Sequence, residues 1–336
     1  MSARVNLTAS PSVCFSLPHT TQFKLLRAAD AGAMTFTFAP FDGDSTALSF
    51  SGDAVEINLG DLTASLEALG SCPVQSTTRT AHVQAVREAV KRIIDTDLDK
   101  VVLSTVLRAE GTINLAQALQ SLRAAHPNAF VYAYFHPESG LWLGATPEVL
   151  VASNDDGYET VSLAGTRLYT DEPQPWGQKE SLEQSIVTDY IKARLHDAGA
   201  TDIRIGRPET IRYGEIEHIK SILRFRAEKL EPILHQLHPT PAVCGTPFHT
   251  ARKVIRELEE HARSWYTGYL GFTDTKQNAG YFVNLRCARV YQDALVAYSG
   301  GGITFDSDPE DEWEETRNKL RSFLSAIDNL RNLPAN

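Results

Sequence analysis

Near the end of the chain, Ser299-Gly300-Gly301-Gly302-Ile303 follows the apolar run Ala294 to Tyr298 and precedes the acidic stretch Asp311-Glu312-Trp313-Glu314-Glu315-Thr316-Arg317-Asn318-Lys319-Leu320. This succession constrains the fold more than any other. It predicts a buried strand, a glycine turn and an acid-rich helix start. Three glycines let a backbone approach a ligand closely, because no Cβ stands in the way. Trp313, Leu320, Leu324 and Ile327 recur at helical spacing and predict a core-facing stripe. Glu312, Glu315 and Lys319 fall on a separate face. Two carboxylates and an ammonium beside a glycine turn could hold a metal and an anionic ligand. The same residues also fit a solvated helix face, with a Glu315–Lys319 pair worth ~0.2–0.5 kcal/mol.

Helices and strands mix along the rest of the chain without a regular βαβ period. Val83, Val86, Val90 and Ile93 predict an amphipathic helix, and Leu115, Leu119 and Leu122 another. Lys100 to Ser104 reads as a buried strand with a lysine at its mouth. Phe130 to Phe135 and Gly140 to Gly144 read as an antiparallel hairpin. Lys179 to Glu183 opens a helix supported by Leu182, Ile186 and Tyr190, and by Val187, Ile191 and Leu195; Glu180 and Glu183 are i,i+3 neighbours on it. Asp61 to Leu69 reads as a short helix ending at Gly70. Trp265 to Phe272 and Tyr281 to Tyr291 read as strands, the second placing Asn284 and Arg286 opposite Tyr281, Val283, Leu285 and Cys287. An inward arginine on a sheet is expensive without an anion to pair with. No linker or repeat cuts the 336 residues, so one large α+β domain over 1–336 is expected.

The formal net charge is -10 and no basic block stands out, which argues against nucleic acid as a partner. Cys14, Cys72, Cys244 and Cys287 show no CxxC spacing, so neither a zinc cluster nor a disulfide framework is suggested. The absence of a signal-like start and of an apolar run near ~18 residues leads us to expect a cytoplasmic protein with no membrane partner.

Taken together, Lys100-Val-Val-Leu-Ser, Gly144-Ala-Thr-Pro-Glu148, Ala164-Gly-Thr-Arg167, Lys179-Glu-Ser-Leu-Glu183, His238-Pro-Thr-Pro-Ala242-Val-Cys-Gly245, Arg286, Gly300-Gly-Gly302 and Glu312 to Lys319 resemble the chorismate-utilising enzymes. That family includes isochorismate synthases, salicylate synthases, anthranilate synthase component I and aminodeoxychorismate synthases. The resemblance covers residues 79–330, and residues 1–78 match loosely. It implies a single α+β domain with two large antiparallel sheets packed together and helices on the outside. It also implies a site for chorismate and one Mg2+ ion.

Carried onto this chain, the resemblance implies Glu183 and Glu315 as metal ligands, with Glu180 and Glu312 beside them. Magnesium favours oxygen ligands and keeps several waters, which suits such a set. Arg286, Lys319 and the amides of Gly300 and Gly302 would receive the substrate carboxylates. Thr166 and His218 would line the ring site, and Tyr266 would contact the enolpyruvyl group. Lys100 would be the base that activates water for attack at C2, and Glu148 the acid that protonates the departing C4 hydroxyl. Those roles need a lowered lysine pKa and a raised glutamate pKa.

Lysine at 100, where ammonia-using relatives commonly have glutamine, and Ala242, where many aminating or salicylate-forming relatives have threonine, favour isochorismate synthase. The alternatives are a salicylate synthase, an aminating synthase and a non-catalytic chorismate-binding protein. The chain departs from several relatives at Gln184, where they carry histidine. The reading expects a monomer or weak homo-oligomer. Menaquinone and siderophore biosynthesis are both uses that the resemblance implies for such a product.

Overall fold

The computed structural model describes residues 4–42, 46–170, 174–213 and 216–327. The fold is mixed α+β, with two large antiparallel sheets and, among the described residues, six α-helices. The helices are α1 (Arg79–Asp95), α2 (Leu115–Ala125), α3 (Gln178–Asp197), α4 (Glu231–Leu237), α5 (Phe248–Leu258) and α6 (Pro309–Ser325). The chain gathers into two compact units. The larger comprises Met1–Glu148, Pro239–Leu270 and Val283–Asn336, and the smaller Val149–His238 and Gly271–Phe282.

In the larger unit, nine strands form an antiparallel sheet. Their order is Gly245–Thr246, Lys100–Glu110, Ala294–Ile303, Cys287–Val290, Gly140–Thr146, Phe130–His136, Ser12–Ser16, Phe23–Arg27 and Val55–Ile57. Side chains alternate across it. One face, with Leu107, Val131, Leu143, Ala288 and Leu295, packs under α2 and α6. On the other face, the hairpin Met34–Ala39/Leu48–Gly52 lays Phe36 and Phe38 on Tyr134, at centroid distances of 5.7 and 4.7 Å. A second apolar cluster seats α1 and α5 around Val101, Leu103 and Ile303. Side-chain caps start three of these helices: Thr78 accepts from Ala81 N, Asn114 from Gln117 N, and Asp308 from Glu310 N and Asp311 N.

In the smaller unit, antiparallel strands run in the order Thr201–Ile205, Ile216–Arg226, Gly157–Leu168, Val149–Asn154 and Ala279–Val283, and Glu209–Tyr213 also pairs with Ile216–Arg226. α3 packs on them.

Several sequence expectations need correction. The glycines do not turn: Gly300 to Gly302 stay in the strand, opposite Ser104 to Val102. The expected strand Tyr281–Tyr291 breaks into Ala279–Val283 and Cys287–Val290, because Arg286 takes φ +47°. Its side chain is exposed rather than inward. Trp265 to Gly268 form a turn, and the strand starts at Tyr269. The stretch from Asp61 to Leu69 holds a short strand, Leu62–Thr63, and a 3-10 turn, Leu66–Leu69, instead of one helix. α3 buries Gln184, Thr188, Ile191 and Leu195, leaving Leu182 and Ile186 exposed.

Candidate active site

The glycine strand presents an open edge. Val102 N donates to Cys244 O at 2.9 Å and Ser104 N to Glu259 Oε1 at 2.7 Å, so both amides point away from Ala294–Ile303. Their register partners, Gly302 and Gly300, form non-hydrogen-bonded pairs with them and also point their main-chain groups away. Gly300 O accordingly accepts from Lys319 Nζ at 3.1 Å. On that side the neighbouring strand pairs only up to Ala288 opposite Ala297. The amides of Gly300 and Gly302 therefore face an edge from which the next strand has departed.

Each glycine makes room for a different side chain. A Cβ on Gly302 would stand 2.7 Å from Lys100 Cε, and one on Gly300 would stand 3.0 Å from the Tyr266 hydroxyl. One on Gly301 would lie 2.8 Å from Glu312 Oε2. Alternation places Lys100 and Tyr266 on one face of the strand and Glu312 on the other. Tyr266 is buried and stacked on Tyr298 at 5.2 Å, and burial raises its phenol above the usual range.

Arg286 marks where the next strand leaves. Gly144 permits the close approach: a Cβ there would meet Arg286 O at 3.0 Å and Cys287 Cβ at 3.0 Å. Ala145 N donates to Arg286 O at 3.0 Å. A non-glycine residue at positive φ costs on the order of 1–3 kcal/mol and persists only where its surroundings fix it. Here the Ala145 bond holds Arg286 itself, and Asn284 anchors the chain two residues before it. Fully buried, Asn284 donates from Nδ2 to Trp265 O and accepts from the Tyr132 hydroxyl, while its backbone pairs with Thr267 N and Gly268 O. Glu148 lies at the end of the adjacent strand. Its N donates to Thr146 Oγ1 and its O accepts from Val283 N. Desolvation raises its carboxyl pKa, the direction an acid that holds its proton needs.

On α6, Glu312 Oε1 accepts from Ser307 Oγ at 2.7 Å, while Oε2 is buried without a hydrogen-bond partner. Burial, chiefly, raises its pKa; the charge of Glu315 adds to this, and the Ser307 bond opposes it. Glu315 Oε1 lies 2.5 Å from Lys319 Nζ, both half exposed. Among the described residues, no three carboxylates, imidazoles or thiols stand together as a complete metal shell. The α6 pair nevertheless fits part of an oxygen shell for a hard divalent cation. An orphaned buried carboxylate oxygen is what such an ion would satisfy.

In the smaller unit, Thr166 pairs with His218 across the strands. The side chain of Thr166 lies outside the described set, and His218 is half-buried. Gly165, at φ +66°, lets α3 come close: a Cβ there would be 3.0 Å from Glu180 O. The Glu180 carboxylate fills the space beside Gly177 at the helix start, and Glu183 is exposed. Gln184 turns into the sheet and donates to Ser162 Oγ at 2.9 Å and Ser221 Oγ at 3.2 Å. Back in the larger unit, Ala242 is exposed in the turn Thr240 to Cys244 that borders the Lys100 strand.

The structure thus brings Lys100, Tyr266, Gly300, Gly302, Glu312, Glu315 and Lys319 around one strand end, with Arg286 at the departing neighbour. Sequence reasoning missed Ser307 and the anchoring role of Asn284. A serine five residues ahead of a glutamate, or an asparagine in an apolar strand, carries no local signal of its partner.

Comparison with known proteins places the chain in a family. A family model described as chorismate binding enzyme matches residues 61–328. The chain is 30% identical to the isochorismate synthase MenF of Escherichia coli K12 over 262 residues, 73% of this chain but 60% of that protein, so the match spans well under two thirds of MenF. It is 30% identical to the vibriobactin-specific isochorismate synthase of Vibrio cholerae over 273 residues, 75% of this chain and 68% of that one. Among solved structures, the putative 2,3-dihydroxybenzoate-specific isochorismate synthase DhbC of Bacillus anthracis superposes with TM-score 0.75 at 23% identity, covering 95% and 96% of the two chains. Anthranilate synthase component I of Streptococcus pneumoniae superposes with TM-score 0.67 at 18% identity, covering 96% and 92%. At these identities the superpositions speak for the fold alone.

Proposed function

The chain belongs to the chorismate-binding enzyme family, and from that premise we propose that it converts chorismate to isochorismate with Mg2+. The observation that carries this reading is the seat of Lys100, whose side chain lies against Gly302 at the open edge. A lysine there can take a proton from water. A glutamine, common in the ammonia-using relatives, cannot act as such a base.

In this reading the substrate's carboxylates meet Lys319, Arg286 and the outward amides of Gly300 and Gly302. Bound Mg2+ would supply positive charge to a substrate carboxylate, and Glu312 and Glu315, with Glu180 and Glu183, would hold it. Thr166, His218 and Tyr266 would surround the ring and its enolpyruvyl group. Lys100 Nζ accepts the proton of the water that attacks C2. Glu148 donates its proton to the C4 hydroxyl, which leaves as water while the ring double bonds shift. General acid and base contributions of this type are each worth ~10²–10⁴-fold. Ala242 offers only a methyl, so that turn selects by shape, where one small group accounts for ~1–3 kcal/mol.

The test is chromatographic product identification from chorismate and Mg2+, with and without ammonium. Isochorismate as the main product, with Lys100→Ala still binding chorismate but losing turnover, supports the reading. Salicylate plus pyruvate, or an aminated ring, overturns it.

A further inference from the structure

Behind the Lys100 strand lies an ion pair that the reaction scheme leaves without a task. Arg263 and Glu259 have side chains only 3% and 4% exposed. Glu259 follows the last residue of α5, and Arg263 lies in the loop that leads to Tyr266. Arg263 binds Glu259 through Nε, 2.9 Å from Oε2, and through a terminal nitrogen, 2.6 Å from Oε1.

The remaining bonds of the pair go to three separate segments. One terminal nitrogen of Arg263 donates to Val102 O at 2.6 Å; the other donates to Val243 O at 2.8 Å and to Thr267 Oγ1 at 3.3 Å. Glu259 Oε1 accepts from Ser104 N at 2.7 Å. Val102 and Ser104 belong to the strand that begins at Lys100, Val243 follows Ala242, and Thr267 follows Tyr266. Phe41 covers the guanidinium, its ring centroid 4.4 Å away. A planar guanidinium offers five donors in a rigid fork, so it can fix several acceptors at set angles, which an ammonium cannot.

We propose that the buried Glu259–Arg263 pair is a positioning device that sets Lys100 in register with the Ala242 turn and the Tyr266 turn. The proposal rests on the reading of Lys100, Ala242 and Tyr266 as site residues. It assigns the pair no contact with substrate.

Removing one partner alone strands a buried charge and risks unfolding, whereas replacing both with apolar residues of similar size avoids this. The test therefore uses the double variant Glu259→Leu/Arg263→Met in the full chain, with Arg263→Lys as a second variant that keeps the charge and loses the fork. Two readouts are needed. Steady-state kinetics with chorismate and Mg2+ should show kcat reduced by on the order of 10²-fold, with KM changed much less, as for a misplaced catalytic group. Reductive methylation followed by mass spectrometry should show the labelling rate of Lys100 altered several-fold, with that of Lys91 on α1 unchanged. The labelling needs no turnover, so it tests the device even if the wild-type product proves not to be isochorismate. A folded double variant, or a folded Arg263→Lys, with native kcat and native Lys100 labelling overturns the proposal. A lowered melting temperature with both readouts native reduces the pair to a structural one and overturns it equally.

Discussion

α6 in the larger unit and α3 in the smaller each carry two of the four glutamates expected to serve a metal, yet they are anchored by different physics. α6 starts at a side-chain cap, Asp308, and buries Trp313, Leu320, Phe323 and Leu324. α3 starts at Gly177 without a side-chain cap and buries Gln184 and Thr188 beside Ile191 and Leu195. Its register is set by hydrogen bonds: Gln184 to Ser162 and Ser221, and Thr188 to Ser162 at 2.8 Å. Apolar burial supplies most of a helix's docking energy, while hydrogen bonds add a net ~0.5–1.5 kcal/mol each and mainly fix geometry. The carboxylates follow suit. Glu312 is held by Ser307 with one oxygen left orphaned, whereas Glu183 is exposed. On α6 one carboxylate is fixed with a buried oxygen unsatisfied, whereas on α3 Glu183 stands in solvent.

The largest effects are expected to be shared by the two helices, and the asymmetry to appear once the metal is removed. Glu315→Gln and Glu183→Gln should each reduce Mg2+-dependent chorismate turnover by at least ~10²–10³-fold, the scale of losing a fixed charge at a reacting centre. Excess chelator should do the same to the wild type, and full activity in chelator would remove the metal assignment. Without metal the helices should diverge. Glu312→Gln should stabilise the protein by about 1 kcal/mol, because it removes a buried unsatisfied carboxylate, and Glu183→Gln should leave stability unchanged. The sign follows from the raised pKa of Glu312. Ionising it opposes folding, so the penalty is full above its folded pKa and vanishes as pH falls below the unfolded value. Urea titrations of metal-free protein at several pH values read both variants.

The next effect concerns how α6 is held. His82 on α1 is buried against Trp313, with ring centroids 5.8 Å apart, and its Nε2 has no hydrogen-bond partner. Desolvation is the main reason its pKa is pushed down from 6.5 to about 4; the charge of Glu259 opposes this and His261 adds to it. Between those values the unfolded chain binds the proton and the folded one does not. Stability is therefore complete above 6.5 and falls with pH until about 4, by ~3 kcal/mol in all. His82→Gln should flatten that part of the pH–stability curve. An unchanged slope would mean that His82 is solvated and that α6 is held less firmly than its burial indicates.

A smaller effect is expected at the glycines. Gly301→Ala pushes a methyl into the space of Glu312 Oε2. The carboxylate is the tip of a flexible side chain, so the fold should survive while activity drops ~10–10²-fold. Gly177→Ala crowds the Glu180 carboxylate in the same way on α3. That carboxylate is the tip of a side chain at an exposed helix start, so it should swing aside and the loss should stay below ~10-fold. Equal losses at both positions would erase the difference between the helices.

What the sequence revealed follows the same division. The apolar stripe of α6, with Trp313, Leu320 and Leu324, is correctly legible because hydrophobic spacing carries the signal. The stripe of α3 misleads: Leu182 and Ile186 have the right spacing, but Gln184 and Thr188 find Ser162 and Ser221 and take the buried face. Periodicity counts apolar residues and is blind to a polar residue whose partners lie on distant strands. Similarly, three glycines suggest a turn when read locally. Only the pairing with Ser104 to Val102 shows them to be strand positions emptied of side chains for Lys100, Glu312 and Tyr266. The break at Arg286 was illegible because the contacts around it, Arg286 O to Ala145 N and Asn284 to Trp265 and Tyr132, come from distant segments.

The smallest expected effect is the most exacting for the comparison. Leu182 is 61% and Ile186 58% exposed on α3. Replacing each by glutamine should remove little buried apolar area. Leucine and glutamine have nearly equal helix propensity, and isoleucine has slightly less than glutamine. The change in unfolding free energy should therefore stay within ~0.5 kcal/mol, the usual range for surface positions, and the urea m-value should not move, because the area exposed on unfolding is unchanged. The measurement is a urea titration of Leu182→Gln, Ile186→Gln and the pair. The two residues are i,i+4 neighbours, so any mutual contact would appear as non-additivity in the pair. A loss well above 1 kcal/mol, with a lower m-value, would show that these side chains are covered in solution. α3 would then be anchored by apolar burial as α6 is, and the contrast between the two helices would fail.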